Sequence, residues 1–160
     1  MLGCEGKVSP SLSDINTQDI PSQESWNTQV VFSDSGITHA VLHAGHVRIY
    51  DKTQQTLLDS GVKVDFFSSI GAHTSVLTSQ RAQVDDRTED MTAEGNVVVV
   101  SDSGTNVYTE KLYWDNKRRK VHSDQFVRVV SPTEIIQGVG FEADQNLSNY
   151  TIYKTSGEKK

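Results

Sequence analysis

Cysteine is all but absent: the 160 residues hold one, Cys4. A single thiol excludes an intrachain disulfide framework and any Cys-x-x-Cys redox or zinc pair. Long apolar runs are missing too, and none approaches the roughly 20 residues of a membrane-spanning helix. No segment of about ten residues keeps apolar spacing of three and four between capping residues, so helices are not expected. Basic charge is short. Lys and Arg number 15 against 21 Asp and Glu, giving a net charge of −6 and a pI near 5.3. That balance argues against a nucleic-acid partner, which needs a basic face. The one basic run, Lys117-Arg118-Arg119-Lys120, reads as a solvated hairpin tip, with contact to anionic head groups as the alternative.

Catalytic signatures are lacking as well. There is no nucleophile elbow, no His-Glu-x-x-His and no phosphate loop. His39, His43 and His46 cluster in sequence, but zinc needs three or four converging ligands. On a plain strand His39 and His43 share a face, while His46 lies on the other unless a bulge intervenes. They read as solvated or packed. Asp85-Asp86 and Glu89-Asp90 flank Arg87 at a turn and read as solvated acids rather than a glycosidase pair. The chain is expected to be no enzyme and to need neither cofactor nor metal.

What is present is a β pattern that repeats. Val97 to Val100 are β-branched, which favours a pleated surface. Ser101-Asp102-Ser103-Gly104 is a turn. Val107, Thr109, Leu112 and Trp114 follow, with steps of two, three and two residues. A period-two strand cannot keep all four on one face unless an extra residue, a β-bulge, absorbs the step of three. The same spacing recurs at Leu42, Ala44, Val47, Ile49; at Leu77, Ser79, Ala82, Val84; and at Ile136, Gly138, Phe141, Ala143. The copies begin roughly 30 to 35 residues apart, the period of a repeat architecture. Paired valines come about 20 residues after the first three starts, at Val62 and Val64, Val97 and Val99, Val127 and Val129.

Residues 1–24 read as a polar N-terminus and tether, 25–156 as a single β domain and 157–160 as a tail. Met1-Leu2-Gly3-Cys4 resembles the end of a bacterial lipoprotein signal, with a small residue before a Cys that becomes acylated. Cys4 is therefore the expected lipidation site. About nine strands should follow, at Ser25 to Phe32, Ile37 to Asp51, Thr56 to Phe67, Ala72 to Asp86, Asp90 to Val100, Asn106 to Asn116, Lys120 to Val130, Glu134 to Glu142 and Asn149 to Tyr153. Short turns make neighbours antiparallel. A meander of that length exceeds a flat sheet and should fold over. The expected fold is all-β: an open, twisted antiparallel β-jellyroll or V-shaped sandwich of strand-turn-strand repeats. Its first and last strands remain edges to which a partner could add a strand. Several inward positions are small, among them Ala44, Ser79, Ala82, Thr109, Gly138 and Ala143. They fit either a close approach of two layers or a groove kept open for an apolar guest.

The repeat residues also carry a family likeness. LTSQRAQVDDRTEDMTAEGNVVV, VYTEKLYWDNKRRKVHSD and QGVGFEADQNLSNYTIYK resemble the C-terminal region of LptC, a periplasmic lipopolysaccharide-export component. The resemblance implies a non-enzymatic open jellyroll with lipid A acyl chains between its leaves. It implies lipopolysaccharide received from an inner-membrane ABC transporter with β-domains and passed to a soluble periplasmic bridge protein. Val47, Ile49, Val62, Val64, Val97, Val99, Leu112, Trp114 and Phe141 would line the groove. Val30 and Phe32 would sit on the incoming partner edge, and Tyr150, Ile152 and Tyr153 on the outgoing one. The better-known members carry an N-terminal membrane helix where this chain offers Cys4. The expected location is periplasmic, tethered to the inner membrane through a lipid on Cys4. The competing reading is a structural or adhesive β-repeat module with a solid core, binding partners only by its edges.

Overall fold

A computed structural model describes residues 20–159, with side chains described over 20–154. Cys4 and most of the expected tether lie outside the described residues. Ten strands follow in order: β1 (Gln23–Asp34), β2 (Ile37–Tyr50), β3 (Gln55–Phe67), β4 (His73–Ser79), β5 (Arg81–Asp85), β6 (Met91–Ser101), β7 (Asn106–Asp115), β8 (Lys120–Val130), β9 (Glu134–Asp144) and β10 (Tyr150–Lys159). They form one antiparallel sheet in the order β1-β2-β3-β4-β6-β7-β8-β9-β10, and β5 continues β4 between β3 and β6. The all-β, folded-over architecture expected from the repeats is the one observed.

Boundaries shift a little. The strand expected over 72–86 is split at Gln80. This residue leaves the ladder, yet its N–H donates to the Gly95 carbonyl at 2.9 Å and its carbonyl accepts from the Gly61 N–H at 3.3 Å. β1 starts at Gln23, where Gln23 and Glu24 already pair with Ile49 and Arg48. β10 runs past the expected domain end at 156, as far as Lys159 opposite Glu134.

Every step of three in the repeat holds a register irregularity. Pairing shifts between Ala44 and His46, at Gln80, between Thr109 and Tyr113, and opposite β9 between Ser123 and Phe126. The shift between Glu94 and Val97 carries two positive φ angles, at Gly95 (86°) and Asn96 (48°). These bulges keep both halves of each strand facing inward. Thus Leu42, Ala44 and Val47 are all buried, as are Val107, Thr109, Leu112 and Trp114. Bulges also leave ladder carbonyls unpaired. Small polar residues at the crease satisfy them: Ser79 donates to the Arg81 carbonyl (3.0 Å), Thr109 to Phe126 (2.9 Å) and Ser123 to Lys111 (2.7 Å). Two of the small inward positions, Ser79 and Thr109, thereby have a backbone role.

The bulges lie in a line across the sheet, and the sheet folds along that line. Trp114 pairs with Met91, Met91 with Val84, and Val84 with Thr56 on β3. Phe66 lies ten residues farther along β3. On a flat sheet that is roughly 33 Å at ~3.3 Å per residue. The Phe66 and Trp114 rings instead sit 4.9 Å apart. A second seam holds the turn after β9 against the β3–β4 hairpin. Ser75 donates to the Gln145 carbonyl at 2.7 Å, and Gln145 Nε2 to the Phe67 carbonyl at 2.8 Å. Leu147, in that turn, is fully buried.

Candidate functional site

Eight of the nine residues expected in a groove belong to the buried core: Val47, Val62, Val64, Val97, Val99, Leu112, Trp114 and Phe141. The ninth, Ile49, is half-buried and packs against it. They share one face and one core. Where the leaves meet a small apolar slot of about 20 Å³ remains. Phe32, Ala40, Leu42, Val64 and Phe66 line it from one leaf, and Val84, Met91 and Trp114 from the other. Glu89, Asn116 and His39 bring polar atoms to it. Of the nine residues, therefore, Val64 and Trp114 border the slot. Phe32, expected on the partner edge, borders it as well. Ala40, Leu42, Phe66, Val84 and Met91 were missed, although Leu42 and Val84 are repeat positions. Larger depressions of about 720 Å³ over the β1–β4 crease and about 660 Å³ beside β9–β10 are open; Ala44, Gly45, Gly61 and Val62 lie in the first beside Gln29 and Lys63, and Glu134 and Glu142 edge the second.

Among the described residues the edge strands are β1 and β10, the two ends of the strand order. Val30 and Phe32 on β1, and Tyr150 and Ile152 on β10, are partly buried and pack on the core. Tyr153 is exposed. Tyr150 has its ring 6.3 Å from Phe141 and donates its hydroxyl to Glu134 at 3.1 Å.

β1 is also fastened by an ionic clip. His46 Nε2 lies 2.6 Å from Glu24 on β1 and Nδ1 lies 3.0 Å from Asp59 on β3. Trp26, exposed on β1, stacks on the imidazole at 5.3 Å. Both ring nitrogens face carboxylates, so both must carry protons to donate. The hydrogen bond to Glu24 leads in raising His46 above the usual imidazole value, with Asp59 adding to it against partial burial. Burial alone would raise Asp59, but bonds from Ser60 and His46, with Arg48 at 3.1 Å, outweigh it and hold the carboxyl low. His73 is gripped similarly, by Asp102 at 2.7 Å and Asp65 at 3.0 Å, and is also raised.

A raised histidine stabilises the folded form fully below the unfolded value near 6.5, and that gain disappears as pH climbs through the raised folded value. Amide exchange in β1 around Glu24 to Trp26, corrected for intrinsic chemistry, is expected to be slower at about pH 5.5 than at about pH 8. His46→Asn should flatten that dependence, and an unchanged pH profile in the variant would remove the clip from the account.

The three clustered histidines thus go to different places. His46 enters the clip, and His43 faces Gln29 at 3.3 Å. His39 turns toward the slot because it is the extra residue of an irregularity in the β1–β2 ladder, where Phe32 pairs with Ala40 but Ser33 with Thr38. His39 and His43 therefore do not share a face in the sense expected of a plain strand. The β7–β8 tip places Arg118 against Glu142 at 2.9 Å. Among the described residues no helix is long and apolar enough to cross a membrane.

One family matches this chain. The model described as lipopolysaccharide-assembly, LptC-related, covers residues 9–156. Among curated proteins none matches.

Proposed function

The chain belongs to the LptC-related lipopolysaccharide-assembly family, and from that membership we propose that it is a periplasmic carrier in lipopolysaccharide transport. The observation that carries the reading is the seam: one sheet, apolar on its inner face, folds until Phe66 meets Trp114 and leaves a slot there. The acyl chains of lipid A enter between the leaves, displacing contacts among the core residues from Val64 and Trp114 inward toward Val97, Val99, Leu112, Val62, Val47, Ile49 and Phe141. The β1 edge, at Val30 and Phe32, receives the β-domain of an inner-membrane ABC transporter. The β10 edge, at Tyr150, Ile152 and Tyr153, offers its free backbone groups to a soluble bridge protein. An acyl group on Cys4 tethers the domain, residues 25–156, to the inner membrane.

The chemistry is apolar exchange, not catalysis. Moving a methylene from water to an apolar site gains about 0.8 kcal/mol. Passing it from one lined slot to the next gains almost nothing, so direction comes from ATP hydrolysis at the transporter. The resting slot is small, and a guest must part the leaves at their least packed line.

Photo-crosslinkers at Val64, Trp114 and Val97 are expected to capture lipopolysaccharide in cells. Capture confined to an outward position such as Lys111 would overturn the carrier. One observation favours the competing structural module: the interior is nearly filled. Mass spectrometry of lipid co-purified with the protein separates the two, since a module with a solid core carries none.

A further inference from the structure

The turns of the meander alternate between the two rims of the folded sheet. One rim carries residues 51–54, 86–90, 116–119 and 145–149, and with them Lys52, Arg87, Lys117, Arg118 and Arg119. The other carries 35–36, 68–72, 102–105 and 131–133, and none of these is Lys or Arg. Hydrogen bonds lock the three cationic turns side by side. The Asp86 N–H donates to the Gln54 carbonyl at 2.9 Å, and the Asn116 N–H to Asp90 Oδ1 at 2.9 Å.

Acids are interleaved with these cations, but several are drawn back onto the backbone. Asp85 accepts from the Arg87 N–H at 2.9 Å, Asp90 from Asn116, and Asp115 from the Arg118 N–H at 3.0 Å. The longer basic side chains reach past them. Arg87 is 69% exposed and meets only Asp85, at 3.5 Å. Lys117 is exposed, and neither it nor Arg119 has an ion-pair partner among the described residues. Cations spread over separate turns enclose no cavity, so they suit an extended anionic plane rather than one small anion. The net charge of −6 does not prevent this, because salt screens groups beyond roughly 8 Å and the rim groups come nearest the plane.

The chain enters the domain at the same rim. The Ser22 N–H donates to the Ile49 carbonyl at 2.7 Å, and Ser22 Oγ accepts from the Asp51 N–H at 2.8 Å, where the 51–54 turn begins. Ile20, just before, is 51% exposed and adds an apolar group there. Residues 1–19, Cys4 among them, precede it. A membrane anchor on that segment would hold this rim near a bilayer and raise its effective concentration, so a weak contact suffices.

We propose that the rim of Arg87, Lys117 and Arg119 docks the domain on an anionic lipid bilayer. This goes beyond the carrier reading and does not depend on it.

The test is co-sedimentation of the full, unacylated chain with phosphatidylcholine vesicles and with vesicles holding about a third phosphatidylglycerol. Binding is expected only to the anionic vesicles and should weaken as salt rises from about 20 to 150 mM. Replacing Arg87, Lys117 and Arg119 together by Gln should weaken it about a hundredfold, near fivefold for each cation. Lys63, Arg128 and Lys154 lie in the other leaf, beyond the line of bulges. Replacing those three by Gln changes net charge equally and should leave binding within about twofold of wild type. No binding to the anionic vesicles, or equal binding to both kinds, would overturn the proposal. So would an equal loss in the two triple variants, which would reduce the effect to overall charge. A rim variant that binds like wild type would leave these cations merely solvated.

Discussion

Replacing Trp114 by alanine is expected to destabilise the domain by about 3–5 kcal/mol, the usual cost of removing a buried tryptophan side chain. Trp114 is 7% exposed and closes on Phe66 across the seam, so its loss removes contacts from both leaves at once. Against a typical domain stability of about 5–15 kcal/mol this is a large fraction. The companion variant, Trp26→Ala, should cost far less, because Trp26 is 63% exposed and stacks only on the His46 ring. Urea titrations of the two variants against wild type give the comparison. Trp114→Ala should also enlarge the slot, because the site cannot fully collapse on a deleted indole. Greater uptake of an apolar fluorescent dye by the folded variant would report that. A shift below about 1 kcal/mol for Trp114→Ala would mean that the leaves do not depend on this contact.

The inward face was legible because its pattern is local. A step of three within a period-two run announces a bulge, and each such step in the four copies coincides with one. Paired valines and short turns likewise carried the antiparallel order. The seam was not legible in residue detail. Phe66 and Trp114 meet only because curvature accumulates over several strands, and neither residue signals the other. His39 was misread for the opposite reason. The irregularity beside it arises in a hairpin with no break in the hydrophobic pattern, so plain alternation placed it on the wrong side. The clip of Glu24, His46 and Asp59 joins three strands through outward residues, where hydrophobic spacing holds no information. Leu147 sits in a polar turn and is buried only because that turn folds back onto β3 and β4.

Gly138→Val should lift β10 from the sheet while sparing the slot. Gly138 pairs with Val127 on one side and Thr155 on the other. A Cβ there would overlap the Lys154 carbonyl oxygen and come within 2.8 Å of the Ile152 side chain. The backbone oxygen cannot rotate aside, so β9 and β10 must separate. Overpacking of this kind typically costs about 1–3 kcal/mol. The strain falls on β10, because β9 is held on its other flank by β8 whereas β10 has no second neighbour among the described strands. Amide exchange in β10 is therefore expected to quicken about tenfold to a hundredfold, with β2 and β3 unchanged. The slot itself draws no residue from β9 or β10, so capture of acyl chains at Val64 and Trp114 should persist. If β10 is the outgoing edge, affinity for the bridge protein should fall in the same variant. Faster β10 exchange with undiminished bridge affinity would move the docking edge elsewhere, and unchanged exchange would show that the sheet accommodates the added methyls without parting.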